Sequence, residues 1–173
     1  MPNIAQINGI AEDNISQWNG VTASNVTSVN GNTWVHYTPM IASGGNSTVT
    51  SGDYKISIFT SSGTFTVSTL GDDAVVEYLV IAGGGSGGGA TGGAGGGGAG
   101  GYRTATGLSV SAQGYSITVG AGGAAQTAVA TGNNGNNSVF SSITSIAGGA
   151  GGTRTGPNGS STNGNAGGSG GGA

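Results

Sequence analysis

Between Gly83 and Gly101 the chain carries 14 glycines in 19 residues, interrupted only by Ser86, Ala90, Thr91, Ala94 and Ala99. Such a stretch has almost no side chains to bury. Ordering backbone costs about 1–2 kcal/mol per residue, and glycine lies at the expensive end of that range. Backbone hydrogen bonds and close backbone packing are the only forces left to hold the tract. Two arrangements supply them. Polyproline-II helices, with about three residues per turn, satisfy none of their own amides. Without Cβ atoms they can pack side by side and exchange N–H···O=C bonds with several neighbours. The alternative is a set of glycine loops capping a β-sandwich. The tract itself leaves both open.

The glycine is concentrated. Of 41 glycines in 173 residues, 33 follow Ile81. Shorter tracts occur at Gly120-Ala121-Gly122-Gly123, at Gly148-Gly149-Ala150-Gly151-Gly152 and from Gly167 to Gly172. Strand-like inserts lie between them: Leu108-Ser109-Val110, Tyr115 to Val119, and Ser138-Val139-Phe140 with Ile143 and Ile146. An apolar strand followed by a glycine tract therefore recurs at Val80-Ile81, Thr118-Val119 and Ser145-Ile146.

Upstream, residues 35–81 read as ordinary β-structure. Tyr54 to Thr60 and Thr64 to Ser68 alternate about Ser61-Ser62-Gly63, which predicts a hairpin between these two runs. Ala74 to Ile81 is a nearly continuous apolar run, the pattern of a core strand buried on both faces. Residues 1–34 hold a repeat of 11 residues: Ile7-Asn8-Gly9, Trp18-Asn19-Gly20 and Val29-Asn30-Gly31, preceded at the same spacing by Ile4, Ile15 and Val26. An 11-residue apolar period also suits a right-handed supercoiled helix, but glycine in every unit opposes it. One short helical turn or strand per unit, closed by Asn-Gly, is expected. Two large apolar residues per unit cannot form a core alone, so each unit must stack on its neighbours or on another chain.

Composition narrows function. Only nine residues are charged, and three of them are basic. That is no footprint for nucleic acid or an anionic membrane. One histidine and no cysteine supply little for acid–base, thiol or zinc chemistry, so no enzyme activity, cofactor or metal is expected. Low charge and few prolines also argue against disorder. The N-terminal Met1-Pro2-Asn3-Ile4 has no basic or apolar leader pattern, and no window predicts membrane insertion. Gly83-x-Gly85-x-x-Gly88 matches a dinucleotide fingerprint formally, but no acidic residue follows it. Collagen is excluded because glycine is not strictly every third residue. Asp72, Asp73 and Glu77 read as a solvated turn before a strand, and His36 as a packed residue without a partner ligand.

The block from Val76 through Ile81-Ala82-Gly83-Gly84-Gly85, then Gly98-Ala99-Gly100-Gly101-Tyr102-Arg103, resembles the glycine-rich domain of bacteriophage tail-fibre proteins and adhesins. Ile117 to Gly123 and Asn136 to Phe140, followed by Ile146-Ala147-Gly148-Gly149, continue the resemblance in order. The Asn-Gly units are similar to N-terminal repeats of phage virion proteins. The resemblance implies polyglycine-II packing with loops that contact host receptors. The expected protein is mainly β. It has a small β-sandwich-like core, with an attachment region at 1–34, a β-strand region at 35–81 and a glycine-rich domain at 82–173. It is expected to be a virion structural protein without enzyme activity, located on the tail or capsid surface. Ile7, Trp18, Val29 and Trp34 are candidate virion-docking residues. Tyr102 and Arg103 are candidates for contact with a partner, a host glycan or protein. Other virion proteins and further copies of the chain, a trimer by fibre analogy, are the expected partners. A capsid decoration protein or head fibre is the alternative, and a polyglycine-II ice-binding or matrix protein a more distant one.

Overall fold

A computed structural model describes residues 38–156 and 159–172, together with the backbone of six short strands among the first 37 residues. Those six form three separate antiparallel ladders: β1 (Gln6–Ile7) with β2 (Ile10–Ala11), β3 (Gln17–Trp18) with β4 (Val21–Thr22), and β5 (Ser28–Val29) with β6 (Asn32–Thr33). Of the two forms expected for each 11-residue unit, the strand is the one adopted. The Asn-Gly pairs between the strands, and His36, lie outside the described residues.

The main sheet is antiparallel and has five strands in the order β16–β15–β14–β10–β7. These are β7 (Ile41–Ser43), β10 (Gly63–Thr69), β14 (Gly114–Thr118), β15 (Ser138–Phe140) and β16 (Ile143–Ser145). Beside it stands a ribbon of β11 (Val75–Ile81) and β13 (Tyr102–Ser109). Thr106 and Gly107 of β13 face the single Glu77, and Gly107 at φ 71 has the conformation that a bulge of this kind takes from glycine. The aromatic centre is Phe140, in edge contact with Phe65, Tyr78 and Tyr115 at centroid separations of 6.1–6.2 Å. Tyr78 comes from the ribbon and the other rings from the sheet, so these contacts join the two layers. Val67, Val80 and Val110 are buried around them. This is the mainly β class with a small core that was expected, and three of the five sheet strands, β14, β15 and β16, come from residues 82–173.

Two local expectations are corrected. Tyr54 to Ile58 does not pair with the run from Thr64 to Ser68. Instead β9 (Tyr54–Ile58) folds back on β8 (Ser47–Ser51) through a two-residue loop, with Gly52 at φ 57 in the first loop position, where hairpin turns favour glycine. The Ser61-Ser62-Gly63 segment is a crossing from this hairpin into the sheet. Asn46 fixes the crossing, its Oδ1 accepting the amides of Thr60 and Ser61 at 2.7 and 3.0 Å. Alternation identifies strands, whereas the nearer turn chose the partner. The second correction concerns β11, which is not buried on both faces. Val80 is buried, but Val75, Leu79 and Ile81 on the opposite face are 44–56% exposed, because no second layer among the described residues covers that side.

Below the sheet, the glycine segments form a bundle whose hydrogen bonds recur every third residue. The amides of Ala82, Gly85 and Gly88 donate to the carbonyls of Gly101, Gly98 and Gly95. The amides of Gly83, Ser86 and Gly89 donate to Asn136, Asn133 and Ala130. Adjacent residues thus bond in different directions, as a helix of three residues per turn demands. Residues 146–152 form the centre. Carbonyls from Ile146 to Gly152 all accept backbone amides, in turn from Gly101, Gly168, Gly135, Gly98, Asn165, Gly132 and Gly95. The amides of Gly148 and Gly151 donate to Gly83 and Ser86, and those of Gly149 and Gly152 to Ser169 and Gly172. Ala147 and Ala150 donate to the side-chain oxygens of Asn137 and Asn134, each at 2.8 Å. Every amide from 147 to 152 is therefore satisfied, and every residue there is buried. Of the two arrangements the tract allowed, the chain adopts the packed bundle.

Candidate interaction surface

Chain direction gives the bundle two different ends. Segments leave the core after β11, β14 and β16 and return into β13 and β15, so one end is anchored in the sheets. The turns between outgoing and returning segments gather at the other end. There β12 (Gly93–Ala94), β17 (Thr153–Arg154) and β18 (Ser161–Thr162) form a three-stranded sheet with β17 in the middle.

Polar side chains, not apolar ones, fix this end. Thr131 and Thr162 share a hydroxyl hydrogen bond of 2.8 Å. Thr153 Oγ1 donates to the Gly89 carbonyl. Gln126 bridges its own loop, donating from Nε2 to Thr131 O at 2.9 Å and accepting the Ala128 amide at 3.0 Å. Gly89 and Ala130 exchange a pair of backbone bonds across the same region. The loops are thus held in place by hydrogen bonds among themselves and to the bundle.

A recess of about 370 Å³ opens here, lined by Gly92–Gly95, Thr153, Arg154, Ser161 and Asn163. Its chemistry is a guanidinium, two hydroxyls, an amide and glycine backbone. Such a set recognises hydroxyl-rich or carboxylate-bearing groups through directed hydrogen bonds.

The residues expected to make contacts lie elsewhere. Tyr102 and Arg103 open β13, at the anchored end. Arg103 Nη1 donates to the Thr144 carbonyl at 3.1 Å, tying the ribbon to β16. Tyr102 pairs across the ribbon with Ile81 and is 65% exposed. Ile7, Trp18 and Val29 each occupy the second position of the first strand in their ladder. Their side chains, and all of Trp34, lie outside the described residues. Asp72 has a structural role, its Oδ2 accepting the Thr38 amide at 2.6 Å.

Arg154, Ser161 and Asn163 were not singled out from the sequence. A signal was present: Gly152-Thr153-Arg154-Thr155-Gly156 places one of the three basic residues in a polar turn directly after a glycine tract. The period of the bundle was also written in Ala147-Gly148-Gly149-Ala150-Gly151-Gly152, where a methyl-bearing residue recurs every third position.

No curated protein sequence matches the chain. No solved structure matches it either. A family model described as a glycine-rich domain does match residues 60–173, from just before β10 through the bundle, and the chain belongs to this glycine-rich domain family.

Proposed function

We propose that this protein is a non-enzymatic structural protein of a phage particle, of tail-fibre or adhesin type, whose glycine-rich bundle presents the recess around Arg154 to a host surface. The bundle, with its fully bonded centre at residues 146–152, supports the reading most directly. It is held mainly by backbone hydrogen bonds, and side-chain hydrogen bonds order the loops at its free end. The N-terminal ladders repeat at 11 residues and offer a serial attachment region for other virion proteins. Ile7, Trp18, Val29 and Trp34 are the proposed anchors, and a homo-oligomer, with a trimer as its working form, is the proposed assembly.

The test is competition. Purified protein should block adsorption of particles carrying it, and Arg154→Ala should raise the half-blocking concentration about tenfold or more, as loss of a binding hot spot does. Equal blocking by both proteins would remove the recess from the reading, and no blocking by either would remove adhesion altogether. Antibody labelling of intact particles decides position. Tail labelling fits the adhesin, and head labelling favours a decoration protein or head fibre.

A further inference from the structure

The hairpin of β8 and β9 has an apolar face that the described residues leave exposed. Tyr54, Ile56 and Ile58 alternate along β9 and share one face, and Val49 lies directly across from Ile56 on that face. Their exposures are 61, 45, 39 and 47%. The two strands pair only with each other. A lone two-stranded hairpin is marginal in water and normally needs a further layer. An open cleft of about 1470 Å³ is lined by this hairpin and by the whole of β11, with Phe65 and Phe140 at the sheet, and β11 leaves Val75, Leu79 and Ile81 exposed. Both walls carry exposed apolar side chains, and no described residue fills the space between them.

We infer that the cleft is an interface between copies of this chain, the β8–β9 hairpin of one copy seating against β11 of another. Area supports a second copy. Tyr54, Ile56 and Ile58 on one wall and Val75, Leu79 and Ile81 on the other leave on the order of 500 Å² of apolar surface, near the upper limit for a single patch on a monomer. A patch of that size is the apolar centre that a standard interface, roughly 800 Å² from each partner, surrounds with a polar rim. Charge does not oppose self-association, since the chain has a net charge of only −3. The surface is also self-complementary, because every copy carries both a hairpin face and a β11 face. This inference gives a surface to the assembly part of the proposed function and does not depend on host binding.

The experiment uses the purified full chain alone. Sedimentation velocity across a concentration series should show an oligomer. Ile56→Lys and Leu79→Lys, one on each wall, should each weaken self-association about 30-fold or more. Hydrogen exchange of wild-type Tyr54–Ile58 amides should slow as protein concentration rises. A wild-type monomer at every concentration would overturn the interface, as would an oligomer whose Tyr54–Ile58 exchange is independent of concentration. The exchange measurement stands even if a lysine variant fails to fold. A monomer that still blocks adsorption would separate failure of this interface from failure of the adhesin reading.

Discussion

Gly88 and Gly96 belong to the same tract but stand in opposite surroundings. A Cβ on Gly88 would fall within 3.0 Å of the Gly152 carbonyl, whereas one on Gly96 would meet nothing within 4 Å. Gly88→Ala should therefore destabilise the protein by about 1–3 kcal/mol, the usual range for overpacking. Gly96→Ala should be neutral or stabilise by up to about 1 kcal/mol, because alanine narrows the unfolded ensemble. Denaturant melts of the two variants check the contrast, and equal effects would mean that the close approach at Gly88 is not maintained. Asn137→Ala should cost about 1–3 kcal/mol, since it leaves the amide of buried Ala147 without an acceptor. Ser145 offers the reverse case. Its hydroxyl is buried with no hydrogen-bond partner, so Ser145→Ala should keep or raise the melting temperature. Tyr115 titrates below its ordinary value of 10.0 because the Ser111 hydroxyl and amide, and then Gln113, hydrogen-bond its phenolic oxygen. A lowered phenol releases its proton more easily in the folded chain than in the unfolded one. Its contribution is absent at neutral pH, grows between the lowered value and 10.0, and is lost again as pH falls through the lowered value. Stability of Tyr115→Phe relative to wild type should then fall across that alkaline window, and parallel curves would show that the phenol does not titrate low.

At the scale of elements, the bundle predicts its own phase rule. Hydrogen bonds from residues 82–89 alternate between neighbours with a period of three. One glycine inserted after Gly84 would rotate every later bonding position by about 120°, whereas three would restore the directions. The single insertion should lower the melting temperature far more than the triple one. If the two behave alike, the tract tolerates any phase and acts as a loop. Deleting 83–101 should abolish folding, because the segment supplies partners to residues 130–136 and 146–152 together. The expected hairpin between Tyr54–Thr60 and Thr64–Ser68 carries the lesson for strands. Its alternation was legible and its strands exist. Its pairing was not, because the Asn46 clamp and the Gly52 turn compete through contacts that periodicity does not encode.

At the scale of the molecule, glycine tract and β-core form one structure, since β14 and β15 leave or enter the bundle and also complete the main sheet. With nine charged residues in 173, long-range electrostatics contribute little to this stability. The melting temperature should move by no more than about 2 °C between low salt and 0.5 M sodium chloride. Sequence by itself determined the mainly β class, the 11-residue units, the strand-then-glycine order and the need for backbone bonds to hold the tract. These follow from local pattern and from the absence of Cβ atoms. Which glycines must stay glycine, which asparagines reach the buried amides and where Arg154 lies were decided only by the tertiary structure. Each depends on which segments become neighbours, and residues with no side chain carry no local mark of their neighbours. The uncovered face of β11 has the same origin: the run from Ala74 to Ile81 specifies a strand that seeks burial on both faces, and the fold supplies only one layer.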